Sequence, residues 1–115
     1  MINTTHVFKN ISDLERSSII SALDRHIQSL GNRTSGKDQA AYNRGVTLFA
    51  KNKFESADYI FTEEEADRLC IAIGLFIEDL ITHKIGSYIQ DEIDAIFIPL
   101  KKTFRVFEDF LHDDN

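Results

Sequence analysis

The chain has 115 residues, with 19 Asp and Glu against 13 Lys and Arg, for a formal net charge of −6. Its length suits one helical domain over residues 1–115, because domains run roughly 50–250 residues. A 43% apolar and 28% charged composition, with five Gly and one Pro, excludes a disordered or low-complexity chain. The single Cys excludes an intramolecular disulfide framework and a Cys-based zinc cluster.

No export signal is expected, since residues 1–10 have neither a basic start nor an apolar core segment. The longest apolar-or-small run, from Leu69 to Ile77, is far shorter than the about 20 residues a membrane-spanning helix needs. A cytoplasmic protein without membrane contact is expected.

In chain order, Ser12 and Glu15 form a capping-box pair, the Ser hydroxyl serving the Glu amide and the carboxylate reaching back. Ile19, Ile20, Leu23, Ile27 and Leu30 then recur at helical spacing, and Gly31 follows as a left-handed C-cap, so a helix is expected over 13–30. A second helix over 37–52 rests on Tyr42, Gly45, Val46 and Phe49, with Ala40, Ala41 and Leu48 beside them. Residues 54–61 are ambiguous, either a short helical turn or an extended connector with its aromatics turned inward.

Thr62 and Glu65 repeat the capping-box signal, and three successive acids sit where the helix dipole favours negative charge. The third helix, over 63–82, buries Ala66, Leu69, Cys70, Ile73, Phe76, Ile77 and Leu80. The fourth, over 88–111, follows Tyr88, Ile89, Ile93, Ile96, Phe97, Leu100, Phe104, Phe107 and Leu111, with a kink expected at Pro99.

An offset of fifty residues superposes the two halves, setting Ser12 on Thr62, Glu15 on Glu65, Ala22 on Ala72, Ile27 on Ile77 and Leu30 on Leu80. With one residue inserted, Tyr42, Val46 and Phe49 fall on Ile93, Phe97 and Leu100. Residues 12–53 and 62–111 therefore read as two helical hairpins, neither able to bury its apolar face alone. The expected fold is an all-α four-helix bundle of two pseudo-repeated hairpins, the last helix kinked at Pro99.

Catalytic chemistry finds little support. His6, His26, His83 and His112 are scattered, without the paired Glu-x-x-His of a di-metal bundle. The nearest metal pair, Asp79 and His83 with Glu78 adjacent, is incomplete and reads as a solvated helix end. Cys70 lies within an apolar stripe and reads as a small hydrophobe. No Gly-rich phosphate loop or nucleophile elbow occurs. Neither enzyme activity nor a metal or cofactor is expected.

Charge is distributed unevenly. Residues 33–53 sum to +4 through Arg33, Lys37, Arg44, Lys51 and Lys53 against Asp38, whereas residues 54–100 sum to −9. The dispersed basic residues make a poor phosphate track, so no nucleic-acid partner is expected. The acidic half is the stronger signal. At about 100° per residue, Glu64, Asp67, Ile71, Leu75 and Glu78 share the side of the third helix opposite its core stripe. The equivalent positions in the first half, Ser21 and Arg25, are polar.

Two readings of that face compete. Either Val7 and Phe8, or Tyr59, Ile60 and Phe61, cover it, or Ile71 and Leu75 form an apolar anchor rimmed by acids. Asp91, Asp94 and Ile98 on the last helix extend the second reading. The functional expectation is a small acidic inhibitor of the immunity or antitoxin kind, which occludes the active or substrate-binding surface of a basic, nuclease-like toxin. The alternative is a helical adaptor or mobile-element accessory protein, homodimeric through its third helix.

Overall fold

Four long helices carry the chain. The computed structural model describes residues 1–82 and 90–112, with side chains of the last helix through Asp109. The order is β1 (Ile2–Asn3), α1 (Thr5–Phe8), α2 (Asp13–Gly31), α3 (Lys37–Glu55), β2 (Ile60–Phe61), α4 (Glu63–Ile81) and α5 (Gln90–His112). The helical character is as expected, and the ends of α2, α3 and α4 fall within three residues of the sequence reading. The expected start of the last helix at Tyr88 and Ile89 lies outside the described residues, as does His83. Helix α5 runs through Pro99.

Helix starts follow from their caps. The Thr62 side chain accepts from the Glu65 amide while the Glu65 carboxylate accepts from the Thr62 amide, a complete capping box. At α2 the Ser12 hydroxyl accepts from the Glu15 amide at 3.1 Å, but the Glu15 carboxylate does something else. It is buried and accepts from the Thr103 hydroxyl of α5 at 3.0 Å, across the core. The expected reciprocal box is thus exchanged for a tie between helices.

Gly31 does not reverse the chain as expected. It ends α2, and Asn32 follows at φ −95° and ψ 4°. Among the described residues the left-handed glycine is Gly36, at φ 63°, which starts α3. At the other end of α3, Ala57 takes φ 57°. Its amide donates to the Phe54 carbonyl at 3.1 Å and the Asp58 amide to the Lys53 carbonyl at 2.8 Å, the hydrogen-bond pair of a Schellman cap.

Arg16 seals that same helix end. Its Nη2 donates to the Phe54 and Glu55 carbonyls at 2.8 and 3.2 Å, its Nη1 to the Tyr59 hydroxyl at 2.6 Å, and its guanidinium lies 4.8 Å from the Phe54 ring centre. A cation is favoured there by the helix dipole. Residues 54–61 prove to be helix, left-handed turn and strand in succession.

Strand β2 pairs antiparallel with β1, Ile2 opposite Phe61 and Asn3 opposite Ile60. This small sheet is not foreseen by the periodicity. It continues into Thr4, whose amide and hydroxyl both donate to the Tyr59 carbonyl at 2.8 and 2.7 Å. The Phe8 ring then packs at 5.1 Å from Phe54, 5.3 Å from Tyr59 and 5.6 Å from Phe107.

The core joins α2, α3, α4 and α5. Ile19, Ala22, Leu23, Ile27 and Leu30 of α2 are buried, and so are Leu69, Ala72, Ile73, Ile77 and Leu80 of α4. Helix α4 packs against α2, α3, α5 and β2. A Cβ at Gly74 would lie 2.8 Å from the Phe104 ring, so α5 approaches α4 closely there. The radius of gyration, 13.8 Å, is near the about 13 Å of a compact chain of this size.

Helix α3 buries a different side from the one expected. Its buried residues are Ala40, Thr47, Ala50 and Phe54, while Tyr42, Leu48 and Phe49 are exposed. The helix extends past residue 52, and Phe54 in its last turn is drawn into the aromatic cluster. That contact sets the helix rotation and turns the bulky stripe outward.

The Ala57 backbone gives a direct test. A left-handed alanine is strained by its Cβ, whereas glycine is not. Ala57→Gly raises unfolding stability by about 0.5–1 kcal/mol in urea titrations; an unchanged or lower stability contradicts the cap described.

Candidate functional site

Among the sequence features, the outer face of α4 is the candidate surface. Glu64, Asp67, Leu75 and Glu78 are exposed and Ile71 is half-buried. Leu75 keeps 47% of its surface open. Phe8 is buried in its aromatic cluster, and Val7 lines a groove with Glu15, Pro99 and Thr103. On α5, Asp91 and Asp94 are exposed and Ile98 is 73% exposed.

The eight residues divide among neighbouring surfaces. Glu64 and Asp67 line a groove of about 280 Å³ with Tyr42, Val46 and Arg68, between α3 and α4. Leu75 lines another of about 380 Å³ between α2 and α4, together with Arg25, His26 and Asp79. Asp94 and Ile98 line a third, of about 420 Å³, with Leu80, Ile81 and Phe97. Glu64, Asp67, Ile71, Leu75 and Glu78 share one helical face, whereas the α5 residues meet α4 further round, at Ile81.

Charges are partly engaged within the fold. Asp79 pairs with Arg25 at 2.9 Å, Asp24 with Lys51 at 2.6 Å, and Glu65 with Lys53 at 2.8 Å. The Tyr42 hydroxyl donates to Glu64, and that hydrogen bond, followed by the carboxylate's charge, holds the phenol above its ordinary pKa. Asp67 has the Arg68 guanidinium at 3.5 Å. Glu78 and Asp91 have no ion pair among the described residues.

Cys70 is buried and free, and burial, reinforced by Glu108 and Asp67, pushes its thiol up to about 12. It is a packing residue without thiolate character. Among the described residues no group of three His, Cys, Asp or Glu is placed to hold a metal ion. No described helix is long and apolar enough to cross a membrane.

Two features escaped the sequence reading. One is the outward stripe of α3, with Phe49 66% exposed. The other is His26, which lines the groove between α2 and α4 while both of its ring nitrogens are buried without a hydrogen-bond partner among the described residues. A signal existed: the fifty-residue offset sets His26 on Phe76, a core position, so a polar ring occupies an apolar place.

No protein-family model, curated protein or solved structure matches the chain.

The acidic start of α4 has a defined pH response. Burial alone raises the Glu65 pKa, but hydrogen bonds from Lys53 and the Thr62 amide outweigh it and hold the carboxyl below its ordinary value. Its stabilisation is therefore present above the ordinary carboxylate range and lost as pH falls through the lowered folded-state value. The stability advantage of the natural protein over Glu65→Gln shrinks as pH falls from about 6 to about 3. A pH-independent difference in chemical denaturation contradicts this.

Proposed function

We propose that the chain is a small cytoplasmic protein-binding inhibitor of the immunity or antitoxin kind, which neutralises a basic, nuclease-like toxin by covering its active or substrate-binding surface. The observation that carries this reading is Leu75, a large aliphatic side chain standing 47% exposed on a helix face shared with exposed Glu64, Asp67 and Glu78. An apolar anchor with an acidic rim suits a basic protein surface: the charges speed encounter and fix register, and burial of the anchor slows release. Inhibition by occlusion needs a complementary surface and no chemistry, in keeping with a chain whose sequence offers no catalytic motif.

The pseudo-repeat belongs to the same proposal. Matched burial of Ile19 with Leu69, Ala22 with Ala72, Leu23 with Ile73, Ile27 with Ile77 and Leu30 with Leu80 supports it. Against that common frame, Ser21 and Arg25 of α2 are replaced by Ile71 and Leu75 of α4. A bundle without a partner has no need of that change. We take Pro99 to bend α5, carrying Asp91, Asp94 and Ile98 toward the edge of the same surface.

A second reading, a homodimeric helical adaptor, is favoured by the 73% exposure of Ile98 and 57% exposure of Ile81 beside one groove. Self-association through apolar side chains is nearly insensitive to salt, whereas the acidic reading is not.

The two separate in one experiment with whichever basic protein the tagged chain captures from its own cells at low salt. Joint reversal of Asp67→Lys and Glu78→Lys weakens the complex by about tenfold or more at low salt, less at high salt, chiefly through slower association. Leu75→Asp speeds dissociation. Unchanged binding by all of these variants overturns the proposal, and an Ile98→Asp variant that splits a salt-insensitive homodimer assigns the Ile81 and Ile98 face to self-association.

A further inference from the structure

The groove between α2 and α4 holds a polar group that the fold leaves unused. His26 lines it and is only 8% exposed, and neither Nδ1 nor Nε2 has a hydrogen-bond partner among the described residues. Buried polar groups in folded proteins are nearly all paired. An orphaned imidazole beneath an open groove is therefore where an incoming group gains a contact that the protein does not make for itself.

The surroundings specify that group. Burial first, then the positive charges of Arg68 and Arg33, keep His26 below its ordinary pKa and thus neutral near pH 7. Of the charged groups that line the groove itself, Asp79 has Arg25 at 2.9 Å, so this carboxylate is already matched. Arg33, and Arg68 although Asp67 lies 3.5 Å from its guanidinium, then leave positive potential at the imidazole, while the whole chain carries −6. The rest of the wall is apolar at Ala22, Ala72, Leu75 and Phe76 and polar but uncharged at Gln28, Ser29 and Asn32. A volume of about 380 Å³ falls within the usual range of small-ligand sites, about 300–1,000 Å³.

We propose that this groove binds a small monocarboxylate with an apolar body, the carboxylate pairing with His26 and the body lying against Leu75 and Phe76. Both ring nitrogens are closed to solvent before binding, so the imidazole turns about its Cβ–Cγ bond to present an N–H to the carboxylate. The arriving negative charge offsets Arg33 and Arg68 and lets His26 take up a proton from water. Of the side chains lining the groove, an imidazole is the kind that titrates between about pH 5 and 8, so affinity rises as pH falls. The inference does not rest on the toxin-binding reading, although the two surfaces meet at Leu75.

Benzoate is the probe, titrated into the whole protein and followed by NMR of the imidazole and methyl groups at about pH 5.5 and about pH 8. Saturable shifts at His26, Leu75 and Phe76 are expected, with affinity tightening by up to tenfold per pH unit and the His26 titration moving upward in the bound state. His26→Gln removes the pH dependence. Ser29→Trp, at an exposed position lining the groove beside His26, leaves His26 in place, fills part of the groove and weakens binding, and far-ultraviolet circular dichroism reports whether each variant is folded. Benzylamine, similar in shape with the opposite charge, does not bind. Absence of saturable benzoate shifts, binding with no change in His26 titration, or equal binding of benzylamine overturns the proposal. A short peptide acid ending in Phe that binds more tightly than benzoate overturns the small-molecule assignment and gives the groove to a polypeptide C-terminus.

Discussion

Helix α4 has apolar side chains round so much of its circumference that it has to be packed on three sides. Ala66, Leu69, Cys70, Ala72, Ile73, Phe76, Ile77 and Leu80 are all buried, and each large aliphatic removed from water contributes about 1.5–3 kcal/mol before chain entropy is counted. Helices α2, α3 and α5 supply the three sides. What remains of α4, apart from Ile81 in its last turn, is one strip running from Glu64 through Asp67 and Leu75 to Glu78. The central position of the helix and the narrowness of its free face have the same cause.

Polar and aromatic ties fix how the other helices lie around it. Arg16 joins the start of α2 to the end of α3, Glu15 joins α2 to Thr103 of α5, and Phe8 brings the N-terminal segment against Phe54, Tyr59 and Phe107. Gly74 lets α5 close on α4 where a methyl group would meet the Phe104 ring. Hydrophobic burial is tolerant of small rotations, but a guanidinium held by two carbonyls and a phenol is not. The candidate surfaces are thus borne on helices whose relative positions are strongly constrained.

Much of this was legible from residue order. The two capping signals located α2 and α4, and their apolar stripes identified the sides they bury. Helix α3 was harder because its sequence carries two stripes of similar spacing, Tyr42–Val46–Phe49 and Ala40–Thr47–Ala50–Phe54. Periodicity cannot choose between them, since bulk points one way and tertiary contact with Phe8 and Tyr59 the other. Pairing of β1 with β2 joins residues nearly sixty apart and leaves no local mark. His26 was passed over for a related reason: its spacing to other ligand-type residues is uninformative, and its burial without a partner is visible only once α4 lies against it. The outer face of α4 could be read because helical phase alone separates its acids and aliphatics from the core.

An acidic strip with an exposed aliphatic at its centre is the surface from which the proposed inhibitory role follows. Purification of the tagged protein from its own cells at low salt and at roughly 0.5 M salt, where screening extends over only a few ångströms, tests that role most directly when the mass of the eluate is measured by light scattering. Occlusion of a basic toxin predicts a stoichiometric complex with one basic protein that is lost at high salt. A salt-resistant homodimer with nothing else bound contradicts it.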